Sequence, residues 1–107
     1  MKRSALALAV LLAALAAGAQ GLPVGEIRLP PGFTIEVYAS GLRTARGLAF
    51  SDAGTLYVGS KTGEVYAVPP GGGKARVIAE GLDMPVGVAY YRGDLYVSSL
   101  YRIGYRR

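Results

Sequence analysis

Short apolar segments separated by turn residues fill the chain after residue 32. Each segment is five residues long and rich in Val, Tyr, Ile, Leu and Ala, and four of them follow one another at 46–50, 55–59, 64–68 and 75–79. Glycine, proline and aspartate lie between the segments, as in Asp52-Ala53-Gly54. Such lengths and breaks are typical of β-strands joined by hairpins. The sequence therefore predicts an all-β region.

The strand pattern repeats with a period of about forty residues. Pairs of identical residues stand 40 positions apart at Val37/Val77, Ala39/Ala79, Gly41/Gly81, Leu42/Leu82, Gly47/Gly87 and Ala49/Ala89. After the first hairpin turn the spacing becomes 39, and further identities follow at Leu56/Leu95, Tyr57/Tyr96, Val58/Val97 and Ser60/Ser99. Loops tolerate changes in length, so a one-residue slip within a turn is consistent with a true repeat.

The period favours one architecture, because a four-stranded unit of about 40–45 residues is typical of a propeller blade. We predict a partial β-propeller of about one and three-quarter blades of four-stranded antiparallel sheet. Residues 46–80 would form a complete blade and residues 86–105 an incomplete one. Residues 33–39 match a fourth strand and would close a ring, after an extended linker at residues 20–32.

The first twenty residues have a different character. Lys2 and Arg3 precede an apolar run at residues 5–17, and Ala17-Gly18-Ala19 follows. A charged start, a short apolar middle and small residues at the cleavage site are typical of a secretory signal peptide. The run is shorter than the roughly 20 residues that span a bilayer. We predict a helical signal peptide at residues 1–19, export to the periplasm or beyond, and no stable membrane span after cleavage.

Composition excludes several kinds of chemistry. The chain has no His and no Cys, so it cannot build a Ser-His-Asp triad, a cysteine nucleophile, a disulfide or a zinc site of imidazole or thiolate ligands. The net charge is +5, but the basic residues form no helix or run with interleaved aromatics. We therefore expect no nucleic-acid partner, and we assign neither a catalytic residue nor a metal ligand.

Three motifs carry a resemblance to a known family. They are Leu29-Pro30-Pro31-Gly32-Phe33, Arg46-Gly47-Leu48-Ala49-Phe50 with Gly54-x-Leu56-Tyr57-Val58, and Met84-Pro85-Val86-Gly87-Val88-Ala89 with Gly93-Asp94-Leu95-Tyr96-Val97. Over residues 29–103 the chain resembles the start of the glucose/sorbosone dehydrogenase family. These are exported six-bladed propellers that use pyrroloquinoline quinone to oxidise sugars or aldehydes.

The resemblance implies a cofactor site at the loops before the first strand and after the second strand of each blade. Arg46, Lys61 and Arg102 are then the candidates to meet the anionic quinone. The family's base is a His, which this chain lacks, and family members are several times longer. We therefore expect an N-terminal portion of such an enzyme that binds no quinone and is inactive alone, so whether these residues belong to an enzyme stays open.

Two alternatives share the blade motif. One is a portion of a non-catalytic NHL-type binding propeller, and the other a portion of a six-bladed lactonase, which needs calcium-binding carboxylates. In every case an incomplete ring leaves sheet faces and strand edges uncovered. We expect such a chain to self-associate through its open blade edges.

Overall fold

The computed structural model describes residues 22–107, and the predicted signal peptide at residues 1–19 lies outside them. Two compact units are distinguished, Met1–Val37 and Tyr38–Arg107. The second unit is all-β and consists of two antiparallel sheets. No helix within the described residues is long and apolar enough to cross a membrane.

The first sheet has four strands in sequence order, which are β1 (Ala45–Phe50), β2 (Leu56–Ser60), β3 (Val65–Val68) and β4 (Arg76–Ala79). Every neighbouring pair is antiparallel. The predicted strands are confirmed, with ends that move by one residue. The sheet is a meander, because each connection is a short turn and successive strands can pair at once.

The second sheet repeats this order with three strands, β5 (Gly87–Tyr91), β6 (Asp94–Ser98) and β7 (Ile103–Arg106). Its first turn is the shorter one, since Tyr91 pairs with Asp94 and leaves only Arg92 and Gly93 between them. Both of these residues have positive φ, at 48° and 87°. That geometry suits the right-handed twist of a two-residue hairpin. It explains the slip of one residue in the repeat.

The core lies around the middle of the first sheet. Val58, Val65 and Val68 are fully buried, and Leu56 and Tyr66 are nearly so. The face that carries Leu56 and Val58 is covered by the segment before β1, through Tyr38, Ala39 and Leu42. All four residues of β3 are buried, which agrees with its unbroken apolar sequence.

The two sheets pack face to face through small residues. Gly47 of β1 donates its N–H to the carbonyl oxygen of Val86 at 3.0 Å, and Ser60 donates its N–H to that of Pro85 at 3.1 Å. A Cβ atom on Gly47 or on Gly59 would collide with backbone atoms of this Pro85-Val86 segment. Glycine at both positions therefore lets the backbone of the segment before β5 reach the first sheet.

The segments before β1 differ in part from expectation. Residues 20–32 were predicted to be extended, but Val24–Glu26 form a 3-10 helix, and Phe33 donates its N–H to the Pro30 carbonyl in a turn. No strand occurs at residues 33–39. A closing strand would need a partner strand outside this sequence, so its pairing stays a prediction.

We expect Gly59→Ala to destabilise the second unit by about 1–3 kcal/mol, because the new methyl group must push the Pro85-Val86 backbone away from the sheet. Chemical denaturation followed by tyrosine fluorescence measures the effect. Gly104→Ala in β7 is the matched control, since a Cβ there meets nothing within 4 Å. Equal stability of the two variants would contradict the close contact.

Candidate functional site

The loops predicted to face a ligand gather at one end of the two sheets. The connection before β1 meets the β2–β3 turn, where Lys61 donates its N–H to the Thr44 carbonyl oxygen at 3.2 Å. At the second sheet Leu100 donates its N–H to the Asp83 carbonyl oxygen at 2.9 Å. These two bonds are nearly equivalent in the repeat, since Leu100 is the counterpart of Lys61 and Asp83 directly precedes Met84, the counterpart of Thr44. The bond from Ser60 to Pro85 then links the loop ends of the two sheets.

Arg46, Lys61 and Arg102 lie at this loop end, and all three are exposed. Arg46 is the second residue of β1, Lys61 follows β2, and Arg102 precedes β7. The carbonyl oxygen of Arg102 accepts hydrogen bonds from Ser99, at 2.8 Å from its N–H and 3.2 Å from its hydroxyl. The guanidinium and ammonium groups could attract an anion here, and their role in binding a cofactor stays a prediction.

Sequence reasoning missed a polar cluster in the β2–β3 turn. The Glu64 carboxylate accepts hydrogen bonds from the Thr62 hydroxyl at 2.7 Å and from the Ser60 hydroxyl at 3.3 Å. The Thr62 hydroxyl also lies 2.9 Å from the Thr44 hydroxyl. The hydrogen bond from Thr62 is the main reason that the pKa of Glu64 lies below its ordinary value of 4.5. The cluster ties the loop before β1 to the turn after β2.

The loop end also holds strained backbone. Thr44 and Met84 are 40 residues apart and both adopt positive φ, at 47° and 49°. Such a conformation costs a non-glycine residue of order 1 kcal/mol and is often found at functional sites. Thr44 is held by Lys61, whose N–H is 3.2 Å from both the carbonyl and the hydroxyl oxygen of Thr44. The sequence carried no signal for this strain, because neither Thr nor Met favours positive φ.

A cavity of about 370 Å³ lies elsewhere, between the outer strands of the two sheets. Arg76, Arg106 and Arg107 line it together with Tyr57 and Tyr90. Arg106 donates a hydrogen bond from Nη1 to the Ile78 carbonyl oxygen at 2.7 Å. None of the three predicted residues at the loop end lines this cavity, so the two basic regions are separate.

The described residues 22–107 contain no group of three or more Asp and Glu side chains placed to hold a metal ion. The loop end instead offers cations, hydroxyl groups and one hydrogen-bonded carboxylate. Such a set can attract and orient an anionic molecule by charge and hydrogen bonds. It includes no histidine, because the chain has none.

No protein-family model matches the sequence. A protein of Borreliella burgdorferi, described as an uncharacterized protein, is 30% identical over 78 residues. The match covers 72% of this chain but 20% of the relative, so the chain spans about a fifth of the length of the curated relative it matches. This similarity carries no activity to the chain.

We expect Glu64 to stabilise the fold more at neutral than at acid pH. Because its folded-state pKa is lowered, the contribution is present above the unfolded-state pKa and is lost as the pH falls through the folded-state pKa. Wild type should therefore lose its stability advantage over Glu64→Gln on acidification, in denaturation curves recorded between neutral and acid pH.

An NMR titration tests the cause directly. In wild type the Glu64 carboxyl should titrate below 4.5, and Thr62→Val should raise that pKa because it removes the strongest hydrogen bond. Titration of wild-type Glu64 at or above 4.5 would show that the cluster does not favour the carboxylate.

Proposed function

We propose that residues 33–107 form the first sectors of an exported β-propeller of the quinone-dependent sugar or aldehyde dehydrogenase type. One observation carries the proposal. Two consecutive repeats fold into sheets with the same strand order and pack face to face, with equivalent loops at the same end. Sectors of a ring are built in this way. The further sectors would lie outside this sequence, and the longer relative is compatible with that.

The loop end has the charge that such a cofactor requires. Pyrroloquinoline quinone carries carboxylates, and Arg46, Lys61 and Arg102 place three cations at the rim of the proposed ring. When bound, the quinone accepts the hydride of an alcohol or aldehyde substrate. The residues of this chain would hold and orient the anion, and the proton acceptor would come from another sector, because this chain has no His.

Two other functions use the same architecture. A non-catalytic NHL-type propeller would bind a macromolecule at the same loop end. A six-bladed lactonase would need carboxylate ligands for calcium from other sectors. The quinone-dependent enzyme is favoured by the opening motif Leu29-Pro30-Pro31-Gly32-Phe33 and by the three basic residues at the loop end.

The nucleotide sequence beyond codon 107, read in all three frames, should encode further repeats of about forty residues, one with a His in a loop at the same end. If the further repeats carry acidic ligand loops instead, the lactonase is favoured. If they carry neither the His nor the acidic loops, the binding module is favoured.

In the longer protein, Arg46→Gln should raise the Kd for the quinone about tenfold, because a cation is lost. Arg76→Gln, which changes a residue of β4 away from the loops, is the control.

The 107-residue chain by itself should not catalyse the oxidation of a sugar or aldehyde. With pyrroloquinoline quinone, an aldose and an artificial electron acceptor, we expect no reduction of the acceptor above the rate without protein. Reduction that depends on the chain would contradict the proposal that the base lies in another sector.

We also propose export through residues 1–19. The secreted chain should begin at Gln20, which N-terminal sequencing or intact mass would show. Ala19→Arg should block cleavage because the peptidase requires a small residue there, whereas Ala13→Leu within the apolar run should not. An exported chain that retains Met1 would contradict the predicted cleavage.

A further inference from the structure

In the first strand of each sheet, large side chains point to one face and small side chains to the other. In β1, Gly47 and Ala49 are half-buried and face the second sheet, whereas Leu48 and Phe50 point the other way and are 62% and 59% exposed. Period-two alternation along a strand produces this division. We call the side of Leu48 and Phe50 the large face and the side of Gly47 and Ala49 the small face.

The second sheet divides in the same way. Val88 and Tyr90 are the counterparts of Leu48 and Phe50, and they are half-buried against the first sheet. Tyr90 stacks on Tyr57 of the first sheet, with ring centroids 6.3 Å apart and planes inclined by 16°. The contact within the chain therefore joins the large face of the second sheet to the small face of the first.

One face of each kind remains open. The small face of the second sheet carries Ala89, Tyr91 and Tyr96, which are exposed. It continues onto β7, where Ile103 pairs with Ser98 and Tyr105 with Tyr96, and these two β7 residues are 79% and 65% exposed.

The large face of the first sheet is covered at Leu56 and Val58 by the segment before β1. Only its β1 edge is exposed, where Leu48 is free and the Phe50 ring meets Tyr38 edge to face, with centroids 6.4 Å apart.

By the repeat, the small face of the second sheet corresponds to the small face of the first, and the large face of the first corresponds to the large face of the second. The two open faces are therefore the counterparts of the two faces already in contact within the chain. In particular, Tyr96 is the counterpart of Tyr57, and Phe50 is that of Tyr90.

We propose that the 107-residue chain binds a second copy of itself head to tail, with the large face of one copy on the small face of the second sheet of the other. Phe50 of one copy then lies against Tyr96 of the other, as Tyr90 lies against Tyr57 within the chain. Such a contact joins two different faces, so the pair keeps one free small face on one copy and one free large face on the other, and assembly can continue. It goes beyond the proposed function and concerns the 107-residue chain by itself, because in the proposed ring neighbouring sectors cover these two faces.

One residue at the small face departs from the pattern. Ser98 takes the position of Gly59, and its hydroxyl oxygen lies 3.5 Å from the Gly87 carbonyl oxygen. A second copy therefore meets a side chain where the Pro85-Val86 backbone meets a bare glycine. The contact between two copies would therefore be made by aromatic and aliphatic side chains and not by a close approach of backbone.

Co-expression of two full-length chains with different tags tests the proposal. Wild-type chains should capture each other. Leu48→Lys blocks the large face and Ala89→Lys the small face, so either variant should capture itself at least about tenfold less, because an ammonium group would be buried in the contact. Tyr101→Lys adds the same charge in a loop, at a residue that is 84% exposed, and should leave capture unchanged.

The mixed pair gives the decisive result. Leu48→Lys and Ala89→Lys chains together retain one native large face and one native small face, so they should capture each other although neither captures itself. Residues 1–21 are identical in every pair, so their contribution cancels. Circular dichroism of each variant establishes that it is folded. Absence of wild-type capture, loss in only one of the two variants, or failure of the folded mixed pair would overturn the proposal.

Discussion

The close approach of the Pro85-Val86 backbone to Gly47 and Gly59 is the contact on which the rest of the structure depends. It brings two hydrogen bonds between the sheets and lets Tyr57 and Tyr90 stack. A side chain at either glycine would separate the sheets, since the approaching atoms are backbone and cannot rotate away. The alignment of the loops at one end follows from the same contact.

Much of the fold could be predicted from the sequence because its signals are local. Alternation and turn residues located the four strands of the first sheet to within one residue, and the slip of the repeat to 39 coincides with the two-residue turn at Arg92-Gly93. The linker was less predictable. The 3-10 helix at Val24–Glu26 has no periodic pattern, because three residues are too few to show one.

The candidate site was only partly predictable. The repeat placed Arg46, Lys61 and Arg102 at loops of one end, and the structure brings those loops together, with Arg46 lying inside β1 and not in the loop before it. The Glu64 cluster was missed, because its hydroxyl groups come from two separate segments, the loop before β1 and the β2–β3 turn. Ser, Thr and Glu are also ordinary residues in turns. The strained backbone at Thr44 and Met84 was also invisible, because neither residue type favours positive φ.

The serine at position 98 has a consequence for how tightly successive sheets can join. Between the two sheets of one chain, bare glycines allow main-chain hydrogen bonds to form across the seam. At the small face of the second sheet, the Ser98 side chain would keep the backbone of a second copy from approaching as closely. A contact between two copies would therefore be looser than the contact between the two sheets of one chain.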